Sequence, residues 1–418
     1  MNKDYLFYLG ILFSSLDSFP LFLGISTYAP YISVLFFVSY LIVSSNYNQI
    51  KYSRNRFICL LLSIVLYGLS LFNGVFVYKD LSGFINFAIQ FTLAILLYKS
   101  FNCYLSKLDP NTYLQAFSRI FITYNIPILV IGIIELMLLR AGSIYYKFVS
   151  VFSWRVSNGR IQLVSGEPAW AARLLLVLLA LVPLTNYSKQ KKLYLTILLL
   201  LLLLATGSSL GIICALIYYI VVYFRKRYFK YVLICGLFMA FVSPILYSHL
   251  DDYTKARLEL ISELRHSDFE TLAVSAGSGS LMARIGNPIL GVYVGLDNPI
   301  SGVGGGYYYR HHFAYLSEVF PSALSISNIY ETGFSPKNLF SRVFAEMGLL
   351  GLLPLLIGLY WVYRNVVKSN RQTLGVFVCI ILLLINFDTL FHIYPLILFC
   401  LLLNYPIKSK LNVGHNIS

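Results

Sequence analysis

Leu339-Phe-Ser-Arg-Val-Phe-Ala-Glu-Met-Gly-Leu-Leu-Gly-Leu-Leu-Pro-Leu-Leu-Ile-Gly-Leu-Tyr-Trp-Val-Tyr363 is an apolar run whose only charges, Arg342 and Glu346, stand near its start. A hydrocarbon core about 30 Å thick is crossed by a helix of about 20 such residues, so the run is long enough to span a bilayer. A carboxylate is expensive to bury alone there. Arg342 precedes Glu346 by one helical turn, and the two are expected to pair.

Similar runs fill the chain. With 418 residues, 58% hydrophobic and 12% charged, and a mean hydropathy of +0.74, it has more apolar surface than a soluble core can hide. The runs are continuous rather than alternating, which excludes a closed β-barrel. The expected architecture is therefore all-α and polytopic, with about 12 transmembrane helices. The predicted spans are 5–23, 31–43, 57–72, 84–98, 120–139, 169–184, 193–205, 210–224, 231–246, 339–363, 373–385 and 391–403. Only Lys3 precedes the first run, and Asp17 and Pro20 interrupt it without a clear cleavage site, so it reads as a retained span.

Charge sets the orientation. Alternate connections carry Lys51, Arg54 and Arg56; Lys99 and Lys107; Lys189, Lys191 and Lys192; Arg225, Lys226, Arg227 and Lys230; Arg364, Lys368 and Arg371; and Lys408 and Lys410. The positive-inside rule makes that side cytoplasmic, with both termini inside, and accounts for the net charge of +15 without nucleic acid. The long outward connections are then 140–168 and 247–338. They divide the chain into a first bundle (1–246), a large outer loop (247–338) and C-terminal helices (339–418). None of the six cysteines lies in the large loop, and neither a disulfide nor a zinc site is expected.

Basic residues are disfavoured on the outer side, so those found there call for a reason. Arg155 is followed eleven positions later by Gly166, and Arg284 likewise by Gly295; Glu167-Pro168 and Asp297-Asn298-Pro299 come next. With Arg160 and Arg310, these arginines offer fixed forks of donors suited to phosphate oxygens, or to lipid headgroups and the loop's own acids. Arg173 reads as a side chain snorkelling from its helix end. Within the large loop, Leu250, Tyr253, Leu258, Ile261 and Leu264 suggest an amphipathic helix, and residues 275–280 a hinge. Leu281, Ile285, Ile289 and Val292 suggest a second helix, carrying Arg284. Gly302-Val-Gly-Gly-Gly306 lacks the Gly-Lys-Ser/Thr ending of a nucleotide loop and reads as a tight turn or close packing. Tyr307, Tyr308 and Tyr309 suit stacking on sugar rings or an aromatic belt at the membrane interface. Glu167, Glu331, Glu346, His311 and His312 are candidate proton acceptors, among which the sequence does not choose. Glu167 equally suits the positive end of a helix starting at Pro168. Asp251-Asp252 and Asp268-Phe-Glu270 match metal ligands only loosely, and no metal is expected.

Ser335-Pro-Lys-Asn-Leu-Phe-Ser-Arg-Val-Phe-Ala-Glu-Met-Gly-Leu-Leu-Gly-Leu-Leu353 resembles the segment closing the large loop in the O-antigen polymerase (Wzy) and O-antigen ligase superfamily. Asp297-Asn-Pro-Ile-Ser-Gly-Val-Gly-Gly-Gly306 is similar to its Pro-x-x-Gly-x-Gly turn, and the paired arginine loops to those of the polymerases. The resemblance implies an inner-membrane, GT-C-like glycosyltransferase with a periplasmic active site, no metal and no cofactor. It would join oligosaccharide repeat units carried on undecaprenyl diphosphate. Arg155, Arg160, Arg284 and Arg310 would steady the departing diphosphate, and one of the acids or histidines would accept the hydroxyl proton. A chain-length regulator protein is the implied partner. Where the family often has His before the Asn, this chain has Lys337, able to bind phosphate but a poor base at an ordinary pKa. That departure weakens the alternative of a ligase passing polymer to lipid A-core more than it weakens the polymerase. A flippase or other transporter is the remaining alternative, disfavoured by the long outer loop and the peripheral placement of charge.

Overall fold

The computed structural model describes residues 3–14, 30–44, 54–109, 112–153, 156–157, 159–163, 165–223, 282–325, 335–368, 371–386 and 393–404. All regular structure among them is helical. The helices that build the argument are α1 (Asp4–Phe13), α2 (Pro30–Ser44), α3 (Arg54–Phe72), α4 (Ser82–Leu105), α5 (Tyr113–Leu138), α6 (Ser143–Ser150), α7 (Pro168–Leu181), α8 (Lys189–Ala205) and α9 (Ser209–Tyr223). Within the predicted large loop come α10 (Asn287–Asp297) and α11 (Tyr308–Val319), and after it α12 (Leu339–Val362), α13 (Leu374–Asn386) and α14 (Ile393–Leu403). Every predicted span contains a helix except 231–246, which lies outside the described residues, as do the predicted amphipathic helix and hinge of the large loop. Among the described residues, Ser82–Leu105, Tyr113–Leu138 and Leu339–Val367 are long and apolar enough to cross a membrane, and shorter apolar helices accompany them.

Two packing centres hold the bundle. Toward the N-terminus, α1, α2 and α4 meet through aromatic rings: Phe7 stacks on Tyr104 at 3.9 Å between centroids, with Phe37 and Phe101 edge-on to it. Further along, α7 is buried at Ala171, Ala172 and every position from Leu174 to Leu181. A helix apolar on all sides belongs inside a bundle, and α7 is wrapped by α5, α8, α9 and α13. Gly211 lets α9 approach so closely that a Cβ there would stand 2.5 Å from that of Ala172.

The departure from a regular bundle is in α12, where Gly348 takes φ 56° and ψ −150° and splits the helix in two. Only glycine adopts this conformation readily. Backbone groups freed by the break must find partners at membrane depth. The turn after α10 supplies them. The N–H groups of Val303 and Gly304 donate to the carbonyls of Ala345 and Glu346, at 2.9 Å each. The N–H groups of Leu349 and Leu350 donate to the carbonyls of Pro299 and Ile300, at 2.8 and 3.1 Å. The glycine-rich turn thus replaces a piece of the helical ladder, and Gly302 is required because a Cβ would sit 2.3 Å from the carbonyl carbon of Glu346.

The second predicted loop helix exists as a π-helical turn, Met282–Gly286, that carries an exposed Arg284 and runs into α10. Its buried side differs from the one expected. Ile285, Ile289 and Val292 are exposed, whereas Leu290, Gly291, Val294 and Gly295 are buried. The two glycines decide this, because they bring α10 against Pro336, Ser341 and Phe344 along the first half of α12.

Candidate active site

The break in α12 collects most of the polar candidates. Asn338 caps the helix by accepting from the N–H groups of Phe340 (2.9 Å) and Ser341 (3.3 Å). Lys337, just before it, is held at φ 55°, unusual for a residue with a side chain. One turn into the helix, Arg342 Nε donates to Glu346 Oε1 at 3.1 Å, so the expected pair is present, with Glu346 only 3% exposed. Glu346 Oε2 is buried and accepts no hydrogen bond among the described residues.

Helix α11 lays its own polar groups against this pair. His312 is fully buried, and its Nδ1 lies 3.3 Å from the Tyr308 hydroxyl. Burial, reinforced by the charge of Lys337, lowers the His312 pKa to about 4. The imidazole is therefore neutral near pH 7, and the same burial makes it a weak proton acceptor there. Burial raises the Tyr308 pKa, with a further push from the negative charge of Glu346, so its phenol keeps its proton. His311 is also lowered by burial. Its Nε2 meets the Tyr78 hydroxyl at 2.7 Å, and that hydroxyl also reaches the Val303 carbonyl at 3.1 Å. When Tyr78 donates to the carbonyl, His311 must donate from Nε2, which leaves Nδ1 as its basic nitrogen.

The tyrosine run serves packing. Tyr307 and Tyr308 are 0% and 1% exposed, which leaves neither ring face open to a sugar in this arrangement. Tyr307 stacks on Tyr78 and donates to the Asp80 carbonyl at 2.6 Å, while Ser70 Oγ donates to the Gly305 carbonyl at 2.7 Å. The glycine-rich turn is thereby clamped between α12 and the α3–α4 corner. Tyr309 donates to Asp80 Oδ2 at 2.8 Å, and Arg310 forms an ion pair with the same carboxylate. The Ser82 N–H, then Arg310, Tyr309 and the Ser82 hydroxyl hold the Asp80 carboxyl well below the ordinary carboxylate range.

The first long connection, 140–168, is built elsewhere. Arg155 lies outside the described residues, as does Glu331. Arg160 donates from Nε to the Thr206 carbonyl (2.8 Å) and from Nη2 to the Gly207 carbonyl (3.0 Å), covering the negative end of α8. Glu167 occupies the N-cap position of α7, with Pro168 at the first turn. Arg173 is the partly buried residue of this face, donating from Nη2 to the Asn386 carbonyl at the end of α13 (2.8 Å). The structure thus gathers His312, Tyr308, Glu346, Arg342 and Lys337, but sets Arg160, Arg284 and Arg310 on three separate elements.

Sequence reading passed over Asp80, Tyr78 and Glu135. The acid in the otherwise apolar 120–139 run was the one available signal, since a carboxylate in a span has a reason to be there. No curated protein matches the chain. Residues 193–356, from α8 through the break in α12, match the family described as O-antigen ligase, and this match supports the O-antigen ligase/polymerase superfamily for the chain.

Proposed function

We propose that the chain is an O-antigen polymerase of the bacterial inner membrane. It joins oligosaccharide repeat units carried on undecaprenyl diphosphate at the periplasmic face, with both termini in the cytoplasm. The observation that carries this reading is the glycine-rich turn seated in the α12 break, which lies beside neutral histidines, a buried carboxylate and a lysine near the start of one long apolar helix. In the reaction, the acceptor hydroxyl oxygen bonds to the anomeric carbon of the growing chain. The bond from that carbon to the diphosphate oxygen breaks, and the electron pair leaves with the diphosphate. A neutral imidazole of α11 takes the hydroxyl proton: His311, partly exposed and with Nδ1 as its basic nitrogen, is better placed for this than the fully buried His312, and Glu346 and Glu167 are the other acceptors weighed. Lys337 and the outward arginines Arg155, Arg160, Arg284 and Arg310 offset charge on the leaving group. Neither metal nor cofactor has a role in this scheme, and a chain-length regulator is the proposed partner.

The polymerase is preferred to the ligase because Lys337 stands where the ligases' histidine is expected. Deleting the gene and resolving surface polysaccharide on a gel tests the reading. A single capping repeat unit on the core is the expected result. Bare core with lipid-linked polymer would make the chain a ligase, and absence of any periplasmic intermediate would make it a flippase.

A further inference from the structure

Close to the outer end of α5, one oxygen of Glu135 receives two backbone donors. The N–H groups of Gln162 and Leu163 reach Oε2 at 2.6 and 3.1 Å, and the side chain is 1% exposed. Hydrogen bonds to an ionised carboxylate are the strong kind, and a buried carboxylate needs such donors to stay charged. What they hold is a closed knot of chain. Gln162 Oε1 accepts from the Ser157 N–H at 2.8 Å, and its Nε2 donates to the carbonyls of Ser165 and Gly166 at 3.2 Å each. Ser165 Oγ donates back to the Gln162 carbonyl at 2.6 Å.

The knot is also plugged into α5. Leu163, at φ 51°, points its side chain at Gly132, where a Cβ would stand 2.0 Å from Leu163 Cδ2. A left-handed leucine persists only where its surroundings dictate it. On the far side, the Ile161 N–H donates to the Ala205 carbonyl at 3.2 Å, next to the two carbonyls that Arg160 covers. A single acid of α5 therefore sets the place of a loop that runs from Arg160 to the N-cap of α7 at Glu167.

We propose that Glu135 is the positioning residue of this loop, holding its backbone by reach so that Arg160, its basic residue, stays in place at the end of α8 to offset charge on the leaving diphosphate. The inference rests on the proposed polymerase only for that last step; the anchoring can be measured without activity. An Ile161→Cys reporter, buried here, is alkylated in intact spheroplasts with a membrane-impermeant maleimide, alone and with Glu135→Gln, Glu135→Asp or Glu135→Ala. A Leu296→Cys reporter on the exposed side of α10 serves as the control for reagent access.

Glutamine keeps the reach and an acceptor oxygen, whereas aspartate keeps the charge but falls short by one carbon, about 1.5 Å. Alkylation of the Ile161→Cys thiol is expected to stay slow with Gln and to accelerate at least about tenfold with Asp and Ala, while Leu296→Cys does not change. The polysaccharide ladder is expected to follow the same order, with Gln rescuing what Asp does not. Equal protection in all four backgrounds, or Asp outperforming Gln, overturns the anchor. If Ala does not accumulate, the comparison of Gln with Asp decides alone. A loop released on schedule beside an unaltered ladder would leave the anchor standing and remove this loop from the reaction.

Discussion

The two long connections are tied to the bundle by opposite means. The loop at 156–167 hangs from a side chain, Glu135, of a helix that runs unbroken from Tyr113 to Leu138. The turn at 298–306 is tied by its backbone to a helix that has lost a piece of its ladder at Gly348. A side-chain anchor tolerates sequence change in the loop it holds, since any residue offers an N–H. A backbone patch tolerates none at its contact points, because both surfaces must come within hydrogen-bonding distance. Glycines at 302 and 348, both at positive φ and both set against the partner backbone, are the consequence.

The largest effect should therefore follow from adding one carbon at the patch. Gly348→Ala places a Cβ 2.4 Å from the Ile300 carbonyl oxygen, in a conformation that L residues avoid. The expected destabilisation is at least about 3 kcal/mol, read as lost accumulation in membranes or a lowered melting temperature in detergent. A Gly348→Ala protein that accumulates normally and makes a normal ladder would mean that the break is not needed.

Next in size is the ion pair beneath the patch. Arg342→Met strands the Glu346 carboxylate in a buried place, which costs about 3–5 kcal/mol when one partner of a buried pair is removed. Adding Glu346→Gln should recover part of that loss, because no charge is then left unpaired. Two losses that simply add would show that the pair is not coupled, contrary to its 3.1 Å contact.

A pH dependence is expected of the second connection. The His312 pKa is lowered to about 4 in the folded chain from its ordinary 6.5, so between these values the unfolded chain binds more protons. Stability is full above pH 6.5 and is lost as pH falls toward 4, by about 2 kcal/mol at pH 4.5. Melting curves in detergent should show this slope, and His312→Gln should flatten it. Asp80 does not contribute there. Its folded pKa lies below the ordinary 3.8, so its contribution is present throughout that window and fades only at lower pH.

What could be read from the sequence was local. Apolar runs located the helices, and the Arg342–Glu346 pair was legible because residues one turn apart face each other. The glycine cluster was legible as close packing, though not what it packs against. The buried side of α10 was misjudged because large apolar residues were counted, whereas Gly291 and Gly295 set the approach. Asp80 and Glu135 were missed for a different reason. Their partners, Arg310 and the 162–163 backbone, are remote in sequence, and one-dimensional spacing holds no trace of such contacts.

The smallest expected effect, and the one that bears most on mechanism, concerns Arg310. Its guanidinium is largely exposed and paired with Asp80, and exposed pairs add little to stability, so neither Asp80→Asn nor Arg310→Ala should change the melting temperature much. Activity distinguishes its two possible tasks. If Arg310 serves the diphosphate, Asp80 competes with the substrate for it, and Asp80→Asn should leave polymer intact or increase it while Arg310→Ala shortens it. If Arg310 instead latches α11 to the α3–α4 corner, the two substitutions break the same contact and should weaken the ladder equally, with the double variant no worse than either. The diphosphate role predicts unequal single variants, and Arg310→Lys intermediate, since lysine keeps the charge without the two-pronged fit. Equal losses from Asp80→Asn and Arg310→Ala would take Arg310 out of the chemistry and leave both long connections held by acids, Glu135 for one and Asp80 for the other.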